Sequence, residues 1–132
     1  MRIEDHEESL KEHKETIFRW AVEVKGVEHA QRIIGLHASR AIMDMLSIYL
    51  LKKGKISPGK QLNHRWFKST KAAEKIPEFE NKKDIVGKTV ELEIVCERLA
   101  YGSKRPVSEI KKALELFNEL EQKIKGLDNE KE

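Results

Sequence analysis

Apolar residues recur at alternating spacings of three and four along most of the chain, which is the period of an amphipathic α-helix. This pattern predicts five helices, over about residues 4–25, 28–53, 57–76, 82–101 and 108–126. No stretch alternates between apolar and polar residues as a half-buried strand would. We therefore predict an all-α fold, an antiparallel up-and-down helical bundle of about five helices. At 132 residues the chain is expected to form a single domain, residues 1–132, with 128–132 as a frayed tail.

The first two predicted helices differ in the size of the residues on their inner faces. The inner face of the first is expected to contain Leu10, His13, Ile17, Trp20 and Val24. The second carries the small residues Gly35, Ala38, Ser39 and Ala41. Small side chains keep a helix slim, so we expect a neighbouring helix to approach the second one closely.

The fourth predicted helix has apolar residues on more than one face. One stripe consists of Ile85, Thr89, Leu92, Cys96 and Leu99. A second set widens this stripe and consists of Val86, Val90, Ile94 and Val95. Such a wide apolar surface indicates a helix at the centre of the bundle, or one that also faces a second subunit.

The composition supports a helical bundle and excludes some classes of site. Hydrophobic residues make up 39% of the chain and charged residues 37%, which suits helices with charged outer faces. The single cysteine, Cys96, excludes an intrachain disulfide and a cysteine-clustered zinc site, and its apolar surroundings predict a buried thiol. The chain shows no signal peptide and no membrane-spanning segment. A cytoplasmic protein without membrane contact is expected.

The charges are unevenly distributed, although the formal net charge is only +3. Residues 45–73 contain no acid and seven lysines or arginines, together with aromatic residues. On the predicted third helix, one face would carry Lys60, His64, Lys68, Lys71 and Lys75. Trp66 is expected on the opposite side, in the core with Leu62. The basic face is interpreted either as a solvated helix face or as a contact surface for phosphates.

The histidines do not form a recognisable metal-binding pattern. His6 and His13, and likewise His29 and His37, are about two helical turns apart, so neither pair can chelate an ion as an i, i+4 pair does. No metal or cofactor is predicted, although acids from another helix would be able to complete a site. His37 lies on an apolar face and is expected to be a hydrogen-bonded core histidine. His64 is the best candidate for acid–base chemistry, because imidazole titrates near neutral pH.

Three stretches of the chain carry a resemblance to a known family. They are "LHASRAIMDMLSIYLLKKG" at 36–54, "NHRWFKS" at 63–69 and "LEIVCERLAYGSKRPVSEIKKALELFNEL" at 92–120. Together they resemble the HEPN family of small, nucleotide-associated helical domains found in higher eukaryotes and prokaryotes. The resemblance implies an antiparallel bundle that forms a homodimer. It also implies a role as a ribonuclease in toxin–antitoxin or defence systems, or as a partner of a small nucleotidyltransferase.

The chain departs from the family at its catalytic motif, an arginine followed after four to six residues by a histidine. Arg98 stands at a plausible position for the arginine, but Ser103, Lys104 and Arg105 stand where the histidine is expected. Arg32 and His37 have the required spacing, yet on a continuous helix they would point roughly 140° apart. Catalysis is therefore not expected, whereas binding of RNA or a nucleotide is.

The sequence thus favours an RNA- or nucleotide-binding module in which guanidinium and ammonium groups hold the phosphates of the ligand. The predicted binding residues are Lys55, Lys60, His64, Arg65, Lys68, Lys71, Arg98, Tyr101, Lys104 and Arg105. One alternative is a non-catalytic scaffold dimer that docks a partner through the fourth helix. Another is a divergent, metal-independent ribonuclease in which His64 transfers protons and Arg98 holds the transition-state phosphate.

Overall fold

The protein is an all-helical bundle. Its structure, a computed structural model, describes residues 1–129. Four α-helices form the bundle: α1 (Ile3–Glu15), α2 (Gln31–Lys52), α3 (Lys82–Tyr101) and α4 (Val107–Asn129). A π-helical segment, Thr16–Lys25, continues α1, and short 3₁₀ turns lie at Val27–His29, His64–Lys68 and Thr70–Lys75. No residue in the described part of the chain forms a strand, which confirms the predicted fold class.

Helices α1 and α2 are antiparallel, and so are α3 and α4. In each pair, residues further along the first helix contact residues nearer the start of the second. On α1 and α2, His6 contacts Asp44 and His13 contacts His37. On α3 and α4, salt bridges link Asp84 to Lys123, Lys88 to Glu119 and Arg98 to Glu109. The helix α2 packs against α1, α3 and α4, while α3 also packs against both 3₁₀ turns between 64 and 75.

The small residues of α2 allow α3 to pack closely against it, as predicted. A Cβ atom added to Gly35 would lie 2.7 Å from the backbone nitrogen of Ala100 and 2.9 Å from the carbonyl oxygen of Cys96. Neither backbone atom can move aside easily, so only glycine fits. The Cys96 thiol is buried at this interface, and burial raises its pKa to about 12. It is therefore a packed hydrophobe and not a nucleophile.

The prediction of a third helix over residues 57–76 is wrong. Residues 53–63 contain no helix, and two 3₁₀ turns take the place of its second half. The Asn63 side chain accepts a hydrogen bond from the Arg65 backbone, the Ser69 side chain accepts one from Lys71, and Ser69 itself is extended. Each turn thus has its own N-terminal cap. As a result, Lys60, His64, Lys68, Lys71 and Lys75 do not share one helical face.

Trp20 and Val24 do not face the core, contrary to the prediction. They are 52% and 64% exposed, while Ile17 and Ala21 are fully buried. All four lie in the π-helical segment, where hydrogen bonds join residues five apart and the turn is wider than in an α-helix. In this wider turn, residues spaced alternately three and four apart therefore no longer lie on the same face of the helix. Gly26, with a φ of 93°, ends this segment at the predicted position.

The last helix is slightly longer than predicted. It continues through Gly126 to Asn129, and Leu127 is buried against the core. The start of the expected frayed tail, at 128 and 129, is therefore helical, and residues 130–132 lie outside the described part of the chain.

The helix α2 is the one described segment that is long and apolar enough in composition to cross a membrane. In the bundle, 78% of its most apolar window is buried, as in the core helix of a globular domain.

Candidate functional site

Four of the predicted binding residues converge in one groove at the C-terminal end of α3. Lys68, Arg98, Tyr101 and Arg105 line it, and its volume is about 500 Å³. The other residues that line this α3 groove are Glu93, Ile94, Glu97 and Gly102. Tyr101 is 70% exposed, which is unusual for so large an aromatic residue. The groove therefore combines three cationic side chains with an accessible aromatic ring.

The end of α3 and the start of α4 position the two arginines of the groove. Gly102 ends α3, and Glu109 lies in the first turn of α4. Its carboxylate is 2.6 Å from Nε of Arg98 and 3.9 Å from Nε of Arg105. An arginine has five N–H donors, so a contact through Nε leaves donors of both guanidiniums for a ligand. Lys68 reaches the groove from the 3₁₀ turn and lies 3.7 Å from Glu97.

The remaining predicted binding residues do not join the α3 groove. Lys104 lines a different surface depression, together with Lys25, His29 and Arg32. Four more are exposed on the chain segment that precedes and follows Lys68. They are Lys55, Lys60, Arg65 and Lys71. His64 lines a second site, which the sequence did not predict.

This second site is a histidine-rich cleft of about 430 Å³ between α1, α2 and residues 61–66. We call it the histidine cleft. Its polar lining residues are His6, Ser9, His13, Arg40, Asp44, Ser47, Gln61, Asn63 and His64. Trp66 also lines it, and this partly buried residue packs against the core, as Leu62 does, in agreement with the prediction.

Two separate hydrogen bonds join histidines of α1 to α2 at the cleft, one from His6 to Asp44 and one between His13 and His37. Nδ1 of His6 lies 2.8 Å from Oδ1 of Asp44, and Nδ1 of His13 lies 2.9 Å from Nδ1 of His37. The other nitrogen of His13 is 3.7 Å from Oδ2 of Asp44, which is too long for a hydrogen bond. Two ring nitrogens at 2.9 Å can share only one proton, so one ring donates and the other accepts.

Burial and neighbouring charges keep this histidine pair neutral. Burial lowers the pKa of His13, Arg40 lowers it further, and Asp44 opposes both effects. The pKa of His37 is also lowered, by burial and by the nearby His13 and Arg40. Both values fall below the ordinary 6.5, so both rings are predominantly uncharged at neutral pH. His37 is thus a hydrogen-bonded histidine, as predicted, although it is only half-buried.

A hydrogen bond from His64 to Glu93 joins the two sites. Nδ1 of His64 lies 2.8 Å from Oε1 of Glu93, and the glutamate is only 4% exposed. His64 lines the histidine cleft, whereas Glu93 lines the α3 groove. A carboxylate on Nδ1 fixes the orientation and the tautomer of an imidazole. Arg98 and His64 thus belong to adjoining sites that the contact between His64 and Glu93 links.

Two buried carboxylates at these sites stand out in the sequence because they interrupt apolar segments. Asp44 is embedded in the apolar part of α2, and Glu93 interrupts an apolar run of α3. A carboxylate at such a position is expected to be buried and paired, which is the arrangement observed. Arg40 lies one helical turn before Asp44 and lines the same cleft. Their partners are 29 and 38 residues away in the chain, so the pairing itself was not predictable.

Neither a metal centre nor a known relative identifies the site. Within residues 1–129, no three histidine, cysteine, aspartate or glutamate side chains are grouped so that they could hold a metal ion. Comparisons of the chain with protein-family models, curated proteins and solved structures find no match. The function is therefore inferred from the geometry of the two sites.

Proposed function

We propose that this protein is a HEPN-like helical module that binds single-stranded RNA or nucleotides in the α3 groove. The observation that carries this proposal is the exposed ring of Tyr101 beside Lys68, Arg98 and Arg105. An exposed aromatic ring provides a stacking platform for a base, and flanking cations hold the phosphates. The HEPN likeness itself depends on the sequence resemblance.

The groove suits single strands better than a duplex. Stacking on Tyr101 requires an unpaired base, because bases within a helix already stack on their neighbours. The guanidiniums of Arg98 and Arg105 can form charge-assisted hydrogen bonds to phosphate oxygens on either side of that base. Glu97 and Glu109 offset part of the positive charge, so the expected affinity is moderate and sensitive to salt.

The affinity of the purified protein for a labelled, mixed-sequence single-stranded RNA across a salt series tests this function. Binding should weaken steeply as salt rises, because each phosphate contact releases condensed counterions. A matched RNA duplex serves as the control and should bind less tightly. If no RNA binds even at low salt, the groove is a solvated surface and the proposal fails.

A second candidate function, metal-independent RNA cleavage, is favoured by the histidine cleft. His64 and His6 are each oriented by a buried carboxylate, Glu93 and Asp44 respectively, and Arg40 lines the same cleft. In this scheme His64 transfers a proton at the ribose, and Arg40 takes the phosphate-holding role that the sequence assigned to Arg98. The integrity of the RNA after each binding experiment tests it, with His64→Ala as the variant that should abolish any cleavage.

The assembly and location of the protein are further proposals based on the resemblance. We propose a cytoplasmic homodimer that acts with a nucleotidyltransferase-type partner. If the protein is a scaffold, the apolar surface that α3 offers to a partner is smaller than expected, because Val86, Val90 and Val95 are buried within the chain. The exposed apolar residues Trp20 and Val24 would then be the docking point. Sedimentation of the purified chain would distinguish a dimer from a monomer.

A further inference from the structure

One buried oxygen of the α3 groove lacks a hydrogen-bond partner. The Glu93 side chain is 6% exposed, and its Oε1 is bonded to His64. Its other oxygen, Oε2, is buried and has no partner in the described part of the chain. A buried carboxylate oxygen without a donor costs about 1–3 kcal/mol or more. Such an atom in the lining of a ligand groove indicates a missing donor.

We infer that Glu93 selects the base in the α3 groove by accepting hydrogen bonds from N–H donors on its Watson–Crick edge. This inference rests on the proposed function, because the base must first stack on Tyr101. Guanine fits best, since its imino N1–H and amino N2–H₂ groups are adjacent donors. Adenine and cytosine present an amino group beside an acceptor. Uracil presents one imino group between two carbonyl oxygens, which a carboxylate repels.

The exposed side chains that line the groove with Glu93 are only weakly held. Oε2 is not accessible to solvent, so side chains must move for the contact to form. Lys68 and Glu97 line the same groove, are 60% and 47% exposed, and are joined by a single contact of 3.7 Å. An exposed ion pair of this kind contributes little stability, so its side chains can swing aside at small cost. The His64 contact meanwhile holds the carboxylate in place.

The test compares the affinity of three short labelled RNAs for the intact chain. The first is an oligouridylate, and the other two carry guanine or inosine at alternate positions. The guanine oligomer should bind about tenfold more tightly than the oligouridylate, a difference within the range of a hydrogen bond to a charged group. Inosine lacks the amino group and should lie between them. Equal affinities for all three would overturn the role of Glu93 while leaving RNA binding intact, whereas no binding would refute the proposed function itself.

Two variants separate base selection from general effects on the fold. Glu93→Gln keeps the size of the side chain but removes the charge, so the guanine preference should disappear while binding of oligouridylate persists. Glu91→Gln removes an exposed carboxylate of α3 that does not line the groove and should keep the preference. Circular dichroism establishes that both variants are folded. A guanine preference that survives in folded Glu93→Gln would contradict the inference.

Discussion

The α3 groove and the histidine cleft adjoin each other but have opposite physical characters. Apart from the buried Glu93, the charged side chains that line the groove are exposed or half-buried, and any attraction to phosphates depends on Lys68, Arg98 and Arg105. The cleft contains the buried pair of His6 and Asp44 and the part-buried His64, and beside it His13 and His37 form a pair with lowered pKa values. The groove should therefore respond to salt and contribute little to stability. The cleft should respond to pH and contribute much to stability.

The largest difference is expected when one carboxylate is removed from each region. Asp44→Ala leaves the buried donor of His6 without its acceptor and should lower the free energy of unfolding by about 3 kcal/mol. Glu97→Ala breaks only the exposed pair with Lys68 and should cost less than about 1 kcal/mol. Urea unfolding of both variants measures this contrast. Similar losses for the two would show that the cleft is not a stabilising network.

The ring of Tyr101 should matter for binding and not for stability. Tyr101→Ala should weaken RNA binding about tenfold, because stacking of one base contributes about 1–3 kcal/mol. Tyr101→Phe keeps the stacking surface and serves as the matched control, with affinity near that of the parent chain. Because the side chain is 70% exposed, the melting temperature should change little in either variant. An unchanged affinity in Tyr101→Ala would remove the central support for the groove as a binding site.

The cleft should make the stability of the protein depend on pH. The pKa values of His13 and His37 are lowered in the folded state, so the unfolded chain binds more protons in mildly acidic solution. Their contribution to stability is fully present above about pH 6.5 and is lost as the pH falls through the lowered values. Arg40 opposes protonation of both rings, while Asp44 and Glu12 favour it at His13.

Thermal unfolding between pH 7.5 and pH 5 measures this dependence. The His37→Asn variant removes one titrating ring but retains a polar side chain, and it should show a smaller fall in melting temperature. If the fall is as steep in the variant as in the parent chain, the pair is not the source of the pH dependence.

The smallest expected effect is a difference in the salt dependence of RNA binding between variants of two lysines, both of which were predicted from the sequence to bind the ligand. Lys68 lines the α3 groove, whereas Lys104 lines a separate depression. If Lys68 contacts one phosphate, Lys68→Gln should reduce the slope of log affinity against log salt by about 0.7. Lys104→Gln should leave that slope unchanged. Equal slopes for both variants would mean that the bound strand does not follow the groove.

The sequence predicted a candidate site only where the residues of that site lie close together along the chain. Arg98, Tyr101 and Arg105 follow one another within eight residues, so their convergence in the groove needed only a helix end and a short loop. His6, Asp44 and Glu93 lie on three different helices. Each is one polar residue within its own segment, and nothing in the local pattern indicates its partner.

The sequence by itself determined the helical fold, the break at Gly26 and the close approach at Gly35, because helical periodicity and the absence of a Cβ are local properties. Only the tertiary structure decided that 57–76 forms no α-helix and contains two 3₁₀ turns in its second half, since the fully buried Phe67 and the caps at Asn63 and Ser69 outweigh the helical spacing. Only the tertiary structure shows that Trp20 and Val24 are exposed and that the residues of the histidine cleft lie together. Pairings such as His64 with Glu93 depend on how helices pack, and packing is settled by the whole core at once.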